Sequence, residues 1–404
     1  MLHVIPTSRH VTDLPAGRMT LDLARSELAL DDLFGMAQRE NPKRAFLFVS
    51  RVLGRHVPVA PARHREILEI LAGKVRDLLG EEILGGVLVT GFAETAVGLG
   101  AGVHRELTRG LAAPHAFLPT TRHPEGHDIW FSFSEDHSHA SVHHLLRPVA
   151  EPAARAAATA PVLVLVDDEA TTGKTFANLV RAFREEGGRR FERVVLVTLT
   201  DWSGGILPGA IAAAAGLPVD RVSAVSLAEG SWSWEPAPGV RPGQVPTATL
   251  RLAPDGPSVA GHWRAGAPEP LPADPGAVLA ATPAVRPDRA ETLVIGTGEH
   301  VWRPFLFAEA LEEAGEACRF LATTRSPVLQ GHEIRHKISF ADHYGIGIPM
   351  YLHNVDPAEW KRILLFVERE DTAGICPALA AALGTFTAVT PSGRCISFLN
   401  GKAS

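Results

Sequence analysis

The sequence is poor in features that would assign it to several classes of protein. Its three cysteines, Cys318, Cys376 and Cys395, are odd in number and scattered, so we predict neither a disulfide framework nor a zinc site, and expect a reducing cytoplasm. No apolar run is long enough to cross a bilayer, and no export signal is visible at the N-terminus. A net charge of -6 with dispersed basic residues argues against a nucleic-acid surface. A globular protein long enough for two domains remains.

Short apolar segments alternate with segments of helical periodicity, which is typical of an α/β fold. The predicted strands of a first domain are 44–50, 86–90, 115–119, 129–133, 162–166 and 193–199. Its predicted helices are 30–39, 62–79, 96–109 and 176–186. Together they predict a parallel sheet with helices on both faces.

A second, smaller α/β domain is predicted near the C-terminus. Its strands are predicted at 292–295, 317–322 and 362–367, and its helix at 305–314. Before it, proline and glycine rise sharply and helical periodicity fails. We therefore predict a first domain at 1–234, a linker with a short strand (247–252) at 235–284, and a second domain at 285–404.

One segment combines a buried strand, two acids and the start of a helix. Residues 162–166 are all apolar, which predicts a parallel strand buried on both faces. Asp167 and Asp168 follow, and from residue 176 onward apolar residues recur at helical spacing. The turn between them lies at a helix N-terminus, where free N–H groups and the helix dipole favour a phosphate. Because the carboxylates can accept hydrogen bonds from sugar hydroxyls, the segment predicts a ribose 5-phosphate site.

Two other interpretations start from the same residues. Gly173, Lys174 and Thr175 could end a nucleotide-binding P-loop, but that motif requires a glycine where Asp168 stands. Two acids at a strand end are also typical of a general magnesium site in α/β proteins. The order and spacing of the acids and of the hydroxyl-rich turn favour the ribose 5-phosphate site.

The segment resembles the phosphoribosyl diphosphate (PRPP) signature of the type I phosphoribosyltransferases: an apolar strand, two acids and a Thr-Thr-Gly-x-Thr loop. The resemblance implies the type I fold and transfer of a phosphoribosyl group with Mg²⁺ as cofactor. It implies that Asp167 and Asp168 are catalytic residues that clamp the ribose diol and meet the metal only through PRPP-bound Mg²⁺. The implied 5-phosphate ligands are Thr171, Thr172, Gly173, Lys174 and Thr175.

The strand at 86–90 is followed by a second turn and helix. In type I phosphoribosyltransferases the pyrophosphate loop occupies this place, so the resemblance implies PRPP binding by Gly91, Phe92, Ala93 and Glu94. Gly91 and Ala93 permit close backbone approach to an anion, and Glu94 could hold magnesium through water. The alternative is an ordinary strand–helix turn with a surface glutamate.

Arg122 follows the predicted strand at 115–119. In the orotate type of this superfamily a basic pair at this position reaches the pyrophosphate, and Arg122 matches its arginine, whereas His123 replaces the usual lysine. A guanidinium suits bidentate contact with phosphate. A solvated arginine is the alternative.

Residues 132–144 lie where the family carries its mobile catalytic loop, and they are polar and mostly small. We predict a lid that closes when PRPP binds. His137 and His139, together with His143, would meet the leaving pyrophosphate or move a proton on the acceptor. A solvated loop and a metal site are the alternatives.

Residues 44–58 are the predicted hood that selects the acceptor. Ser50, Arg51 and His56 are its candidate acceptor-binding residues. They could equally be ordinary surface residues.

The C-terminal part contains the run Thr-Thr-Arg-Ser-Pro at 323–327. With the phosphoribosyltransferase-like first domain, this run resembles a bacterial family with a TRSP domain, found in tellurium-resistance (Ter) and stress-response gene clusters. Residues 296–299, 342–345 and 351–354 are also similar to that domain. We predict a second ligand site there, against the alternative of a helix cap and a structural ion pair. Its candidate residues are Gly296, Gly298, Thr324, Arg325 and Ser326.

The sequence therefore predicts a Mg²⁺-dependent phosphoribosyltransferase that joins PRPP to a base or base-like acceptor and releases pyrophosphate. The resemblance implies a homodimer and a nucleotide-like product connected with the Ter stress response. We expect small-molecule partners and neither nucleic acid nor membrane. Two alternatives are a PRPP-binding regulator and a phosphorolytic or hydrolytic enzyme acting on a ribonucleotide.

Overall fold

The computed structural model describes residues 7–41, 44–124, 126–134, 142–240, 261–266, 274–282, 284–345 and 347–403. Residues 7–240 are called the N-terminal domain here, and residues 274–403 the C-terminal domain. The N-terminal domain contains, in chain order, β1 (Ser8–Leu14), β2 (Gly17–Ser26), α1 (Leu30–Leu33), β3 (Phe34–Gln38), β4 (Phe46–Ser50), α2 (Pro61–Leu79), β5 (Val87–Gly91), α3 (Ala96–Leu107), β6 (His115–Phe117), β7 (Thr120–Thr121), β8 (Ile129–Ser134), β9 (Val142–Leu146), α4 (Ala153–Thr159), β10 (Val162–Ala170), α5 (Lys174–Glu185), β11 (Arg193–Asp201), α6 (Leu207–Ala215) and β12 (Val222–Pro236).

A short helix, α7 (Gly261–Arg264), lies between the domains. The C-terminal domain then contains α8 (Pro275–Ala281), β13 (Thr292–Gly296), α9 (Trp302–Glu313), β14 (Cys318–Ala322), β15 (Lys337–Ala341), β16 (Pro349–His353), β17 (Arg362–Phe366), α10 (Pro377–Leu383), β18 (Phe386–Val389), β19 (Cys395–Leu399) and β20 (Lys402–Ala403). Short segments of 3₁₀ helix lie at Gly80–Gly85, Val219–Arg221 and Pro357–Glu359.

The main sheet of the N-terminal domain has the order β1-β2-β12-β11-β10-β5-β6. The strands from β12 to β6 are parallel, and β1 and β2 form an antiparallel edge. Alternate residues of β10 face opposite sides: Val162, Val164 and Val166 share a core with α2 and α3, whereas Leu163 and Leu165 share one with α4, α5 and α6. The predicted parallel sheet with helices on both faces is confirmed.

The C-terminal domain is built on a second sheet, of order β14-β13-β17-β18-β19-β20, whose first four strands are parallel. Its α9 packs against α2 and α3, so that Leu68, Val97 and Phe305 belong to one continuous hydrophobic core. The second α/β domain predicted from the sequence is confirmed, and it shares a core with the first.

The predicted helix at 30–39 is wrong. Helix α1 ends at Leu33, and β3 pairs antiparallel with β4, so that Phe34 lies opposite Ser50. Phe34 is buried edge-on against Phe48, with ring centroids 5.1 Å apart. Tertiary pairing and aromatic packing here outweigh a weak helical periodicity.

Strand β12 was not predicted from the sequence; it pairs in parallel with β11 and antiparallel with β2, as far as Pro236. The strand predicted at 247–252 lies outside the described residues. Among the helices that the structure describes, not one is both long and apolar enough to cross a membrane.

Candidate active site

The acidic run lies at the carboxyl end of the central strand, as the sequence predicts. Strand β10 continues through Ala170, and Asp167 accepts a hydrogen bond from the Asp168 N–H at 2.9 Å. Glu169 forms an ion pair with Arg44 at 2.7 Å. Burial raises the pKa of Asp168, although the hydrogen bond with Asp167 and the charges of Arg44 and Arg55 oppose that shift. The acids stand partly exposed at a sheet edge that basic residues surround.

The predicted phosphate loop connects β10 to α5. Gly173 precedes the helix with φ of 71°, and an added Cβ would lie 2.7 Å from Leu207 Cδ2, so glycine is required there. The cap residue Gly173 has no side chain, and the Lys174 N–H reaches only Thr172 Oγ1, in a long contact of 3.5 Å. Thr172 and Lys174 are exposed, so the first turn of α5 is accessible to an anion beside the acids.

The second loop lies next to the first, because β5 pairs in parallel with β10 and Gly91 is opposite Val166. An added Cβ on Gly91 would lie 2.4 Å from the Ala96 carbonyl oxygen. The Ala93–Glu94 peptide is cis, and the Ala93 N–H donates to Thr120 Oγ1 at 2.9 Å. Both predicted loops thus meet at one edge of the sheet.

Glu94 is held between the two domains. Its carboxylate is 2.6 Å from Arg55 Nη2 and accepts a hydrogen bond from the backbone N–H of Arg325 at 3.1 Å. Arg55 also donates to the Gly298 carbonyl oxygen at 3.0 Å. Glu94 is 9% exposed, so the alternative of a surface glutamate is wrong.

The Arg122 segment also contacts the C-terminal domain. The Arg122 N–H and the Thr121 hydroxyl donate to the Glu299 carboxylate at 2.9 and 2.6 Å, and Arg264 Nε lies 3.1 Å from it. The His123 ring stacks on Tyr344, with centroids 4.0 Å apart. Burial would raise the pKa of Glu299, but nearby positive charges and these hydrogen bonds lower it to about 2.

The predicted lid is partly a β-hairpin formed by β8 and β9. His143 lies within β9, is buried, stacks on Phe133 and lies 3.0 Å from Thr120 Oγ1. It therefore belongs to a strand and not to a loop. His137 and His139 lie outside the described residues, and their predicted roles stay predictions.

Two of the three predicted acceptor residues, Arg51 and His56, lie at the domain interface. Arg51 donates to Glu333 at 2.7 Å, and His56 is buried with its ring 5.3 Å from that of His353. Ser50 Oγ accepts from the Val52 N–H at 3.3 Å. Their role in acceptor binding stays a prediction.

An aromatic cluster, which the sequence reasoning missed, packs against Arg44, the ion-pair partner of Glu169. Phe48 stacks on Trp202 with centroids 5.1 Å apart, and the Arg44 guanidinium is 4.7 Å from the Phe46 centroid. The backbone N–H of Trp202 donates to the Ala170 carbonyl oxygen at 2.8 Å, at the end of β10. The sequence signal for this cluster was Trp202, which stands shortly after the predicted strand at 193–199.

The predicted ligand residues of the C-terminal domain are distributed over two loops. Gly298 N–H donates to Thr323 Oγ1 at 2.8 Å, Thr324 pairs with Tyr351, and the Ser326 N–H donates to Thr324 Oγ1 at 3.2 Å. Gly296, at the end of β13, begins the first loop. Both loops face the N-terminal domain, where Arg325 meets Glu94.

Models of two protein families match the chain. A family model described as phosphoribosyl transferase matches residues 33–231, and a model of the TRSP domain that follows it matches residues 273–383. A search of curated proteins gives no match.

Solved phosphoribosyltransferases are also similar in structure. The adenine enzyme of Trypanosoma brucei, in complex with AMP, pyrophosphate and ribose-5-phosphate, is 12% identical, with 50% of this chain and 78% of that chain covered and a TM-score of 0.35. The orotate enzyme of Aeropyrum pernix is 17% identical, with 45% and 79% covered and a TM-score of 0.26.

Proposed function

The chain belongs to the phosphoribosyl transferase family that carries a C-terminal TRSP domain, and from that membership we propose a Mg²⁺-dependent transfer from PRPP to a base or base-like acceptor, with release of pyrophosphate. The observation that carries the proposal is the adjacency of two loops at one sheet edge. The uncapped start of α5 suits the 5-phosphate, and the Gly91–Glu94 turn suits the pyrophosphate. The enzyme is a phosphoribosyltransferase.

The chain's own residues have distinct tasks in this reaction. Asp167 and Asp168 accept hydrogen bonds from the ribose hydroxyls, and Thr171, Thr172, Gly173, Lys174 and Thr175 hold the 5-phosphate. The ribose C1–pyrophosphate bond breaks with positive charge developing on the sugar ring, which the adjacent carboxylates stabilise. The acceptor nitrogen then bonds to C1 and loses its proton to the departing pyrophosphate, which leaves past Gly91–Glu94 and Arg122.

The proposed magnesium fits the donor set only with help from the substrate. No cluster of three histidine, cysteine or acidic side chains suited to a metal lies within the described ranges. Magnesium commonly binds one or two carboxylates together with substrate phosphates, and Asp167 and Asp168 offer that arrangement. When bound with PRPP, the ion would neutralise charge on the leaving pyrophosphate.

The buried, mutually stacked rings of Phe48 and Trp202 form the inner wall of the hood at 44–58 and offer no open face. We propose Ser50, Arg51 and His56 as the polar, acceptor-binding part of that hood. In the cell we propose a cytoplasmic homodimer that makes a nucleotide-like metabolite linked to the Ter stress response.

The test is incubation of the protein with PRPP, Mg²⁺ and a cell extract, with mass spectrometry of pyrophosphate and new nucleotides. Pyrophosphate release that depends on the extract, together with a new phosphoribosylated product, is expected. PRPP binding without acceptor-dependent pyrophosphate would favour a PRPP-sensing regulator instead. Consumption of a ribonucleotide would favour the reverse, phosphorolytic or hydrolytic reaction.

A further inference from the structure

The two domains share one succession of elements. Each has a strand, a Gly-x-x-Glu loop, a helix of 12 residues, a parallel neighbouring strand and a Thr-Thr-Arg run. In the N-terminal domain these are β5, Gly91–Glu94, α3, β6 and 120–122. In the C-terminal domain they are β13, Gly296–Glu299, α9, β14 and 323–325. The two segments are a structural repeat, although their helices share little sequence.

The hydrogen bonds inside the two segments correspond. The N–H before each glutamate donates to the first threonine of the Thr-Thr-Arg run, from Ala93 to Thr120 at 2.9 Å and from Gly298 to Thr323 at 2.8 Å. A histidine ring nitrogen lies near each of these hydroxyls, His143 at 3.0 Å and His343 at 3.2 Å. The likeness therefore includes side-chain geometry.

The two segments contact each other reciprocally. Glu94 of the first segment accepts a hydrogen bond from the backbone N–H of Arg325 in the second, at 3.1 Å. Glu299 of the second segment accepts a hydrogen bond from the backbone N–H of Arg122 in the first, at 2.9 Å. Such an exchange of equivalent contacts is the signature of a two-fold interface between identical subunits. The C-terminal domain thus sits against the N-terminal domain as a partner subunit would.

The two halves of this arrangement are not equally open. Thr90 and Ile295 are equivalent, because each directly precedes the glycine of its Gly-x-x-Glu loop. Thr90 pairs with Leu165 and Ile295 with Leu365. Asp168 and Glu368, three residues after these leucines, are therefore equivalent positions. Glu368 is 6% exposed and ion-paired with Arg264, which is itself 1% exposed and also contacts Glu299. The acids of the C-terminal copy are neutralised from within the chain, whereas Asp168 stays partly exposed.

Arg325 lies where the two segments meet, and its backbone N–H binds Glu94 of the open half. Its Nη1 atom is buried and has no hydrogen-bond partner among the described residues. Burial and the charge of Arg122 lower the pKa of Arg325 to about 10, although Glu299, Tyr344 and Asp342 oppose that shift. A buried guanidinium donor without a partner is costly unless an acceptor such as an anion binds it.

We infer that Arg325 of the C-terminal domain binds the pyrophosphate group of the sugar donor, so that this domain completes the donor site of the N-terminal domain. The inference rests on the proposed function, because it takes PRPP as the donor. The proposed 5-phosphate position is at the start of α5, which follows β10, whereas Arg325 meets the loop that follows the neighbouring strand β5. We therefore assign Arg325 no part in holding the 5-phosphate.

The test is calorimetric titration of the full-length chain with Mg²⁺-pyrophosphate, Mg²⁺-PRPP and ribose 5-phosphate. Arg325→Ala is expected to weaken binding of the first two at least tenfold and to change that of ribose 5-phosphate less than twofold. Arg335→Ala, an exposed arginine of the same domain, is the matched control and should bind all three ligands as the wild type does. Arg325→Gln replaces Arg325→Ala if the latter does not fold.

The outcomes separate the inference from the proposed function. Unchanged pyrophosphate and PRPP affinity in Arg325→Ala or Arg325→Gln would overturn the inference alone. A wild-type protein that binds neither PRPP nor ribose 5-phosphate would overturn the proposed function and the inference with it. Equal weakening of ribose 5-phosphate would also count against the inference, because it would indicate general damage to the site.

Discussion

Single side chains at the sheet edge have environments that suit charged ligands. Asp168 is a carboxylate whose pKa burial raises, with Arg44 and Arg55 near enough to oppose that shift. Glu94, by contrast, is already bound by Arg55 and by the Arg325 N–H. We therefore assign ribose binding to Asp168, whereas Glu94 positions the loop that joins the domains.

Replacement of Asp168 tests that assignment. Asp168→Asn keeps the shape of the side chain but removes the charge that faces the ribose, so turnover should fall at least tenfold. Asp288→Asn, at an exposed site far along the chain, is the control and should keep the wild-type rate. Turnover would be measured as pyrophosphate release, and a rate near that of the wild type in Asp168→Asn would contradict the assignment.

The loops derive their shape from the elements at their ends. Strands β5 and β10 are neighbours, so their carboxyl ends place the Gly91 and Gly173 loops together. Each loop passes close to other atoms, which leaves no room for a Cβ: Ala96 O at Gly91 and Leu207 at Gly173. Backbone constraint, and not only side-chain chemistry, selects these glycines.

Gly91→Ala should impair the pyrophosphate loop specifically. Its Cβ would lie 2.4 Å from a carbonyl oxygen, so the loop must shift. We therefore expect pyrophosphate affinity and turnover to fall about tenfold, which corresponds to about 1.4 kcal/mol. The affinity for ribose 5-phosphate should stay within twofold, because the other loop binds it. Gly209→Ala, where an added Cβ meets no atom within 4 Å, is the control. Equal behaviour of the two variants would refute the expected strain.

The whole molecule depends on a core that both domains share and on polar groups buried between them. Helices α2, α3 and α9 bring residues of both sheets into one hydrophobic cluster. Several histidines are buried in this region and elsewhere, and burial lowers the pKa of each below the usual 6.5: to about 4 for His64 and His343 and to about 3 for His104, His300 and His353.

The fold should therefore lose stability as the pH falls below about 6.5. In that range the unfolded chain takes up protons that the folded histidines do not, so each contributes a loss of up to about 1.4 kcal/mol per pH unit until its folded pKa is reached. Urea unfolding at pH 7, 6 and 5 would measure the slope of stability against pH. His64→Asn should reduce that slope, and the exposed His10→Asn should not. A stability independent of pH would contradict the prediction.

The sequence by itself determined the parallel sheet, the acidic strand end and the phosphate loop, because strand and helix periodicities, two adjacent acids and a hydroxyl-rich turn are local signals. It did not determine β3, since only pairing with β4 and burial of Phe34 against Phe48 make that segment a strand. Only the tertiary structure decided that Glu94 meets Arg325 and Glu299 meets Arg122, because contacts between residues some two hundred positions apart depend on how two sheets pack. The repeat behind those contacts is nearly invisible in sequence, since the backbone geometry keeps it while most side chains differ.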